Sequence, residues 1–137
     1  MRRIIVVCFV LFGCNSQIQE QQLNQLNGYW EITKVEFPNG QTKAYTVNTT
    51  IDFIQIEGLS GFRKKVQPRL NGSYETSDDA EEFIIIQRNG VFLIRYGSDL
   101  QEWEEEILEI GENSFSVRNE DAKIYKYKRF EPINLTP

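Results

Sequence analysis

Histidine is absent from the 137 residues, and the two cysteines, Cys8 and Cys14, sit together in one apolar N-terminal stretch. Those absences remove histidine-based metal sites, Ser-His and Cys-His nucleophile pairs, and any internal disulfide framework. Basic residues are also in deficit, 15 Lys and Arg against 20 Asp and Glu. A chain short of clustered cations does not displace counterions from phosphates, so nucleic acid is excluded as a partner. Nor does any apolar run reach the roughly 20 residues that a membrane-spanning helix needs. With neither a nucleophile–base pair nor a metal-ligand set to name, the chain reads as a non-enzyme without cofactor or metal.

What is present begins with a targeting signal. Met1-Arg2-Arg3 gives a positive start, and Ile4 to Phe12 is an unbroken apolar run of nine. Gly13-Cys14 then closes the run with a small residue before a thiol, the pattern of a secretory signal over residues 1–13. The stretch Leu11-Phe12-Gly13-Cys14 resembles the bacterial lipoprotein box. That resemblance implies cleavage before Cys14, its acylation, and a lipid anchor in the membrane. The absence of an acidic residue at Asn15 points by the same resemblance to the outer membrane, facing the periplasm. Without residues 1–13 the chain keeps 13 basic against 20 acidic side chains, a net −7 that disfavours lying flat on anionic lipid. Residues 15–25 hold five glutamines and no aromatic, so residues 14–25 read as a lipidated cysteine followed by a flexible tether.

From residue 26 to 137 the chain reads as one all-β domain. Gly, Asn, Pro and Asp recur about every ten residues, and the intervals are rich in Ile, Val, Phe, Tyr and Thr without helical spacing. The pattern predicts strands over 29–37, 50–57, 62–67, 73–77, 82–88, 91–96, 102–110, 114–118 and 123–130. Asn89-Gly90 is the sharpest turn signal, because a type I′ turn needs positive φ at both central positions. Connections this short permit only antiparallel pairing, and so many short strands leave exposed edges unless the sheet closes. The expected fold is therefore a small antiparallel up-and-down barrel of eight to ten strands. Alternation slips near Thr33-Lys34, between Ile51/Phe53 and Ile54/Ile56, and between Trp103/Ile107 and Leu108/Ile110, which predicts a bulge or strong bend at each place.

Leu26-Asn27-Gly28-Tyr29-Trp30 reads L-x-G-x-W at the start of the first strand, and Tyr127-Lys128-Arg129-Phe130 ends the last. The pair resembles the lipocalin and wider calycin pattern, and stretches 61–74, 103–110 and 124–133 look like lipocalin-like lipoproteins of the Bacteroidetes. The resemblance implies that Gly28, Trp30 and Arg129 close the barrel floor, with the guanidinium over the indole.

Among the strand residues, Glu102, Glu104 and Glu106 alternate onto a solvated face. Glu105 falls on the apolar face between Trp103 and Ile107, where an unpaired carboxylate is costly. Arg95, Arg63 or Lys65 would be its partner, and the pair could orient the polar head of a ligand. Tyr125 and Tyr127 share a face with Arg129, so they are candidate ligand contacts inside the barrel, with Glu105 and Arg95 near the polar end. Arg63, Lys64, Lys65 and Arg69 form a basic cluster that is either a solvated hairpin or a contact for anionic envelope components. The expected function is binding of a small apolar or amphipathic ligand. The alternatives are an envelope scaffolding lipoprotein with a filled barrel, whose protein partner the sequence leaves unnamed, and a periplasmic protease inhibitor.

Overall fold

The computed structural model describes residues 17–76, 79–98 and 100–131. The signal segment 1–13 and Cys14 lie outside the described residues. A 3-10 helix, Glu20–Leu26, precedes ten strands: β1 Gly28–Glu36, β2 Thr42–Ala44, β3 Ile51–Glu57, β4 Ser60–Pro68, β5 Tyr74–Thr76, β6 Glu81–Arg88, β7 Val91–Ser98, β8 Gln101–Ile110, β9 Ser114–Arg118 and β10 Ile124–Arg129. Every pairing is antiparallel. Strand order runs β10-β9-β8-β7-β6-β4-β3-β1, and β1 pairs back onto β10, so eight strands form a closed ring. The fold is thus the all-β up-and-down barrel expected of a lipocalin-like chain, with β2 and β5 as short flaps on β1 and β4.

Nine strands follow the expected punctuation; the tenth, β2, does not. Its three residues are all exposed, so no buried face imposes an apolar alternation on them. The β6–β7 hairpin turns on Asn89 (φ 54) and Gly90 (φ 79), the left-handed pair of a type I′ turn. Two of the three expected bulges are present: pairing slips between Ile32 and Lys34 against β10, and between Ile107 and Glu109 against β9. The third is not. Strand β3 runs in unbroken register against β4, with Asp52, Ile54 and Ile56 buried. Phe53 instead faces out, against Tyr29 at 4.8 Å and Phe62 at 6.0 Å between ring centres. An outer aromatic contact, rather than a backbone slip, explains the apparent break in pattern.

The expectation of a flexible tether through Gln25 is also corrected, because residues 20–25 belong to the 3-10 helix. Leu23 and Leu26 are buried and join the core, and the helix packs on β3 and β8. Two leucines five and two residues ahead of the first strand were enough to dock the segment on the barrel, despite its glutamines. The helix stops up one end of the barrel, beside the β3–β4, β6–β7 and β8–β9 hairpins. Above it Trp30, Ile54, Phe83, Ile94, Ile107, Phe115 and Val117 fill the interior. The opposite end is the mouth, where the β7–β8 and β9–β10 hairpins lie. No helix among the described residues is long and apolar enough to cross a membrane.

Candidate functional site

The residues expected at the floor meet there. Trp30 is fully buried, donates from Nε1 to the Leu26 carbonyl at 2.8 Å, and meets Phe115 edge-on at 4.7 Å. The Arg129 guanidinium stands 4.1 Å from the Trp30 ring centre. Its Nε donates to the Glu112 carbonyl at 2.8 Å, Nη1 to Asn27 at 2.8 Å and Nη2 to Gln25 at 2.9 Å. One side chain of the last strand thereby ties down the 3-10 helix and covers the indole. Gly28 permits this: its φ is +125°, and a Cβ there would lie 2.5 Å from Arg129 Nη1. The floor is a structural latch.

The mouth differs. A cavity of about 280 Å³ opens there, walled by Tyr96, Trp103, Tyr125 and Tyr127 and carrying Asp52, Arg63 and Glu105. At its base Arg63, buried to 8% exposure, donates from Nη1 to the Tyr96 hydroxyl at 3.0 Å and from Nη2 to Asp52 Oδ2 at 3.1 Å. Its guanidinium carbon lies 5.0 Å from the Tyr127 ring centre, and Glu105 Oε1 lies 3.5 Å from Nη1. Lys65 reaches in from solvent to put Nζ 2.6 Å from Asp52 Oδ1, an ion-pair contact that lacks hydrogen-bond alignment and leaves Oδ1 without an aligned donor. Burial raises the Asp52 pKa, but the charges of Arg63 and Lys65 outweigh it and hold the carboxyl below its ordinary value. Burial likewise pushes the Tyr127 hydroxyl up to about 12, partly offset by Arg63, and raises Tyr96 further still.

Of the ligand contacts expected from the sequence, Tyr125, Tyr127 and Glu105 line this one cavity. Arg95 does not. It lies on the outer face and binds Glu104 through Nη2 at 2.8 Å and Nε at 3.1 Å. Ile94 and Tyr96 are the inward residues of β7, so strand alternation turns Arg95 outward. Arg88 joins the same carboxylate at 3.2 Å, and hydrogen bonds from Arg95 and Arg88 hold Glu104 below its usual range. The supposed basic cluster also disperses. Arg63 is internal, Lys64 lies over Phe53 and Phe62 outside the barrel, Lys65 pairs with Asp52, and Arg69 pairs with Glu75 at 3.3 Å. Sequence reasoning missed Asp52 and Tyr96. The signal for Asp52 was its parity with Ile54 and Ile56, which places it on the inner face.

The mouth thus holds a guanidinium between two carboxylates, beside two phenol rings. Among the described residues no group of three or more His, Cys, Asp or Glu side chains is placed to hold a metal ion. No family model matches the chain, and no curated protein matches it. Among solved structures the chain is similar to a lipocalin-like protein from Bacteroides uniformis, at 10% identity and a TM-score of 0.48, over 77% of this chain and 99% of that one.

Proposed function

We propose that the chain is a small-ligand-binding barrel protein, held by a lipid on Cys14 at the outer membrane and facing the periplasm. The observation that carries the binding reading is the mouth cavity, where Tyr125, Tyr127 and Glu105 converge with Arg63 at one end of a barrel otherwise packed with side chains. At about 280 Å³ it is close to the lower bound of ordinary ligand pockets, about 300 Å³. Trp30, Phe115 and Ile107 occupy the barrel below it. The recess therefore suits a compact amphipathic molecule, not an extended acyl chain. Aromatic walls would bury the ligand's apolar body, and the Arg63–Glu105 pair would meet its polar end.

Native mass spectrometry of the protein purified from its own host tests this reading: a co-purified small molecule supports it, and its loss in Tyr127→Ala ties it to the cavity. A bare protein that also leaves Trp103 fluorescence unmoved across a library of compact amphipaths refutes it. Leu70 and Leu100, 79% and 97% exposed in hairpins at the mouth end, favour a second reading, contact with another envelope protein, and that reading would then replace the first. The anchor rests on LFGC after nine apolar residues. Labelled palmitate should enter the wild type and not Cys14→Ser, and protease added to whole cells should leave the domain intact.

A further inference from the structure

Charge at the mouth is unevenly compensated. Asp52 faces two cations, Arg63 at 3.1 Å and Lys65 at 2.6 Å. Glu105 has Arg63 alone, at 3.5 Å, and the nitrogen it faces already donates to Tyr96 at 3.0 Å. The other acids that line the cavity, Asp79 and Glu81, are exposed at its rim. Lys64 also lines the cavity, but its ammonium sits over aromatic rings, 5.7 Å from the Phe53 ring centre and 5.8 Å from that of Phe62.

Arg63 itself displays what this environment stabilises: a planar cation on a tyrosine face between two carboxylates. Above it the Glu105 carboxylate, the rings of Trp103 and Tyr125 and two rim acids repeat the same elements; Lys64 and Lys65 also line the wall, but among the described residues neither lies within ion-pair distance of Glu105. Building on the small-ligand reading, we infer that the ligand is a compact organic cation, an amine or guanidine on an aromatic or short apolar body. Its charge meets Glu105, and its body lies against Trp103 and Tyr125. An anion would pass Asp79 and Glu81 and face Glu105, and the cations beyond are engaged: Arg63 Nη1 and Nη2 donate to Tyr96 and Asp52, and Lys65 pairs with Asp52. A neutral molecule would strip water from Glu105 without adding countercharge.

Three probes matched in ring and chain separate these cases: 3-phenylpropylamine, 3-phenylpropionate and 3-phenylpropanol, each titrated calorimetrically into the purified chain. The amine should bind about ten-fold or more tightly than the other two, and Glu105→Gln should weaken it by about ten-fold, the scale of one charge-assisted hydrogen bond. Glu104→Gln removes the same charge from the outer face of the same strand and should leave amine affinity unchanged. If Glu105→Gln does not fold, Glu81→Gln at the exposed rim serves, with an expected loss of about two- to three-fold. Equal or tighter binding of the acid or the alcohol overturns the inference while keeping the cavity as a ligand site, as does a folded Glu105→Gln with unchanged amine affinity. If no probe binds, the inference fails; a co-purified molecule in native mass spectrometry would preserve the small-ligand reading, and its absence would end that too.

Discussion

Replacing Arg129 by alanine, alone and together with Trp30→Ala, measures the latch that closes the floor. Trp30 is fully buried, so its truncation should cost about 3 to 5 kcal/mol, the range for emptying a large aromatic site. It also strands the Leu26 carbonyl, which now accepts from Nε1. Arg129→Ala removes three hydrogen bonds to carbonyls and the cover over the indole. Each such bond to a charged group contributes about 1.5 to 3 kcal/mol, but water replaces part of that at an exposed barrel end, so a loss of about 2 to 4 kcal/mol is expected. The guanidinium lies 4.1 Å from the ring centre, partly desolvated, which places the shared cation–π energy near 1 to 2 kcal/mol. The double mutant should therefore be more stable than the sum of the single losses by about that amount. Urea unfolding followed by far-ultraviolet circular dichroism, read at constant m, gives all four corners of the cycle. Additivity to within about 0.5 kcal/mol would mean the two side chains do not share an interaction, and the latch would be refuted.

Gly28→Ala should destabilise by more than the ordinary glycine-to-alanine effect, because a Cβ at φ +125° would lie 2.5 Å from Arg129 Nη1; adding Arg129→Ala should recover part of the loss in the same urea assay. Asp52→Asn should cost about 3 to 5 kcal/mol at pH 7 by leaving buried Arg63 without its closest carboxylate. Since the folded Asp52 pKa lies below its ordinary value, its contribution is present above about pH 4 and lost as the pH falls further. The variant should therefore show a flatter loss of stability in acid, and parallel acid curves would refute the pairing. Tyr127 has the opposite sign. Its hydroxyl is pushed up to about 12, so its neutral form favours the fold below about pH 10, and that contribution is lost between about 10 and 12. Tyr127→Phe should retain more of its stability across that window than the wild type does.

How much of this was legible in the sequence depends on whether a residue's face was set by its neighbours or by contacts far along the chain. The slips at Thr33 and Leu108 could be read because apolar residues change parity there and both faces carry large side chains. On β3 the same reasoning failed, since Phe53 is apolar for the sake of Tyr29 and Phe62 on the outside, and Asp52 is inward for the sake of Arg63. Both are contacts between strands, invisible to period-two counting on one strand. Arg95 was misassigned for a related reason: it was paired with Glu105 by charge, although its own neighbours Ile94 and Tyr96 already turned it outward. The 3-10 helix escaped because five glutamines dominated the composition of residues 15–25, whereas two leucines decided its burial.

The pairing of β1 with β10 has a kinetic consequence. The bond from Arg129 Nη1 to Asn27 joins residues 102 apart, whereas every other pair in the ring except β1–β3 and β4–β6 is a hairpin, and those two are joined through the short strands β2 and β5. Bringing ends together across about 100 residues instead of about 10 costs roughly 2 kcal/mol more in chain entropy. The seam should therefore form late, after the β6-to-β9 hairpins have collapsed, and folding should be slow for a domain of this size. Until the seam shuts, β10 offers one free edge and β1 part of another, a template for pairing between molecules. Solubility during folding then depends on the last six-residue strand: a chain that stops before Ile124 keeps the core side chains of the first nine strands yet carries two open edges, and aggregation rather than a looser barrel is its expected fate.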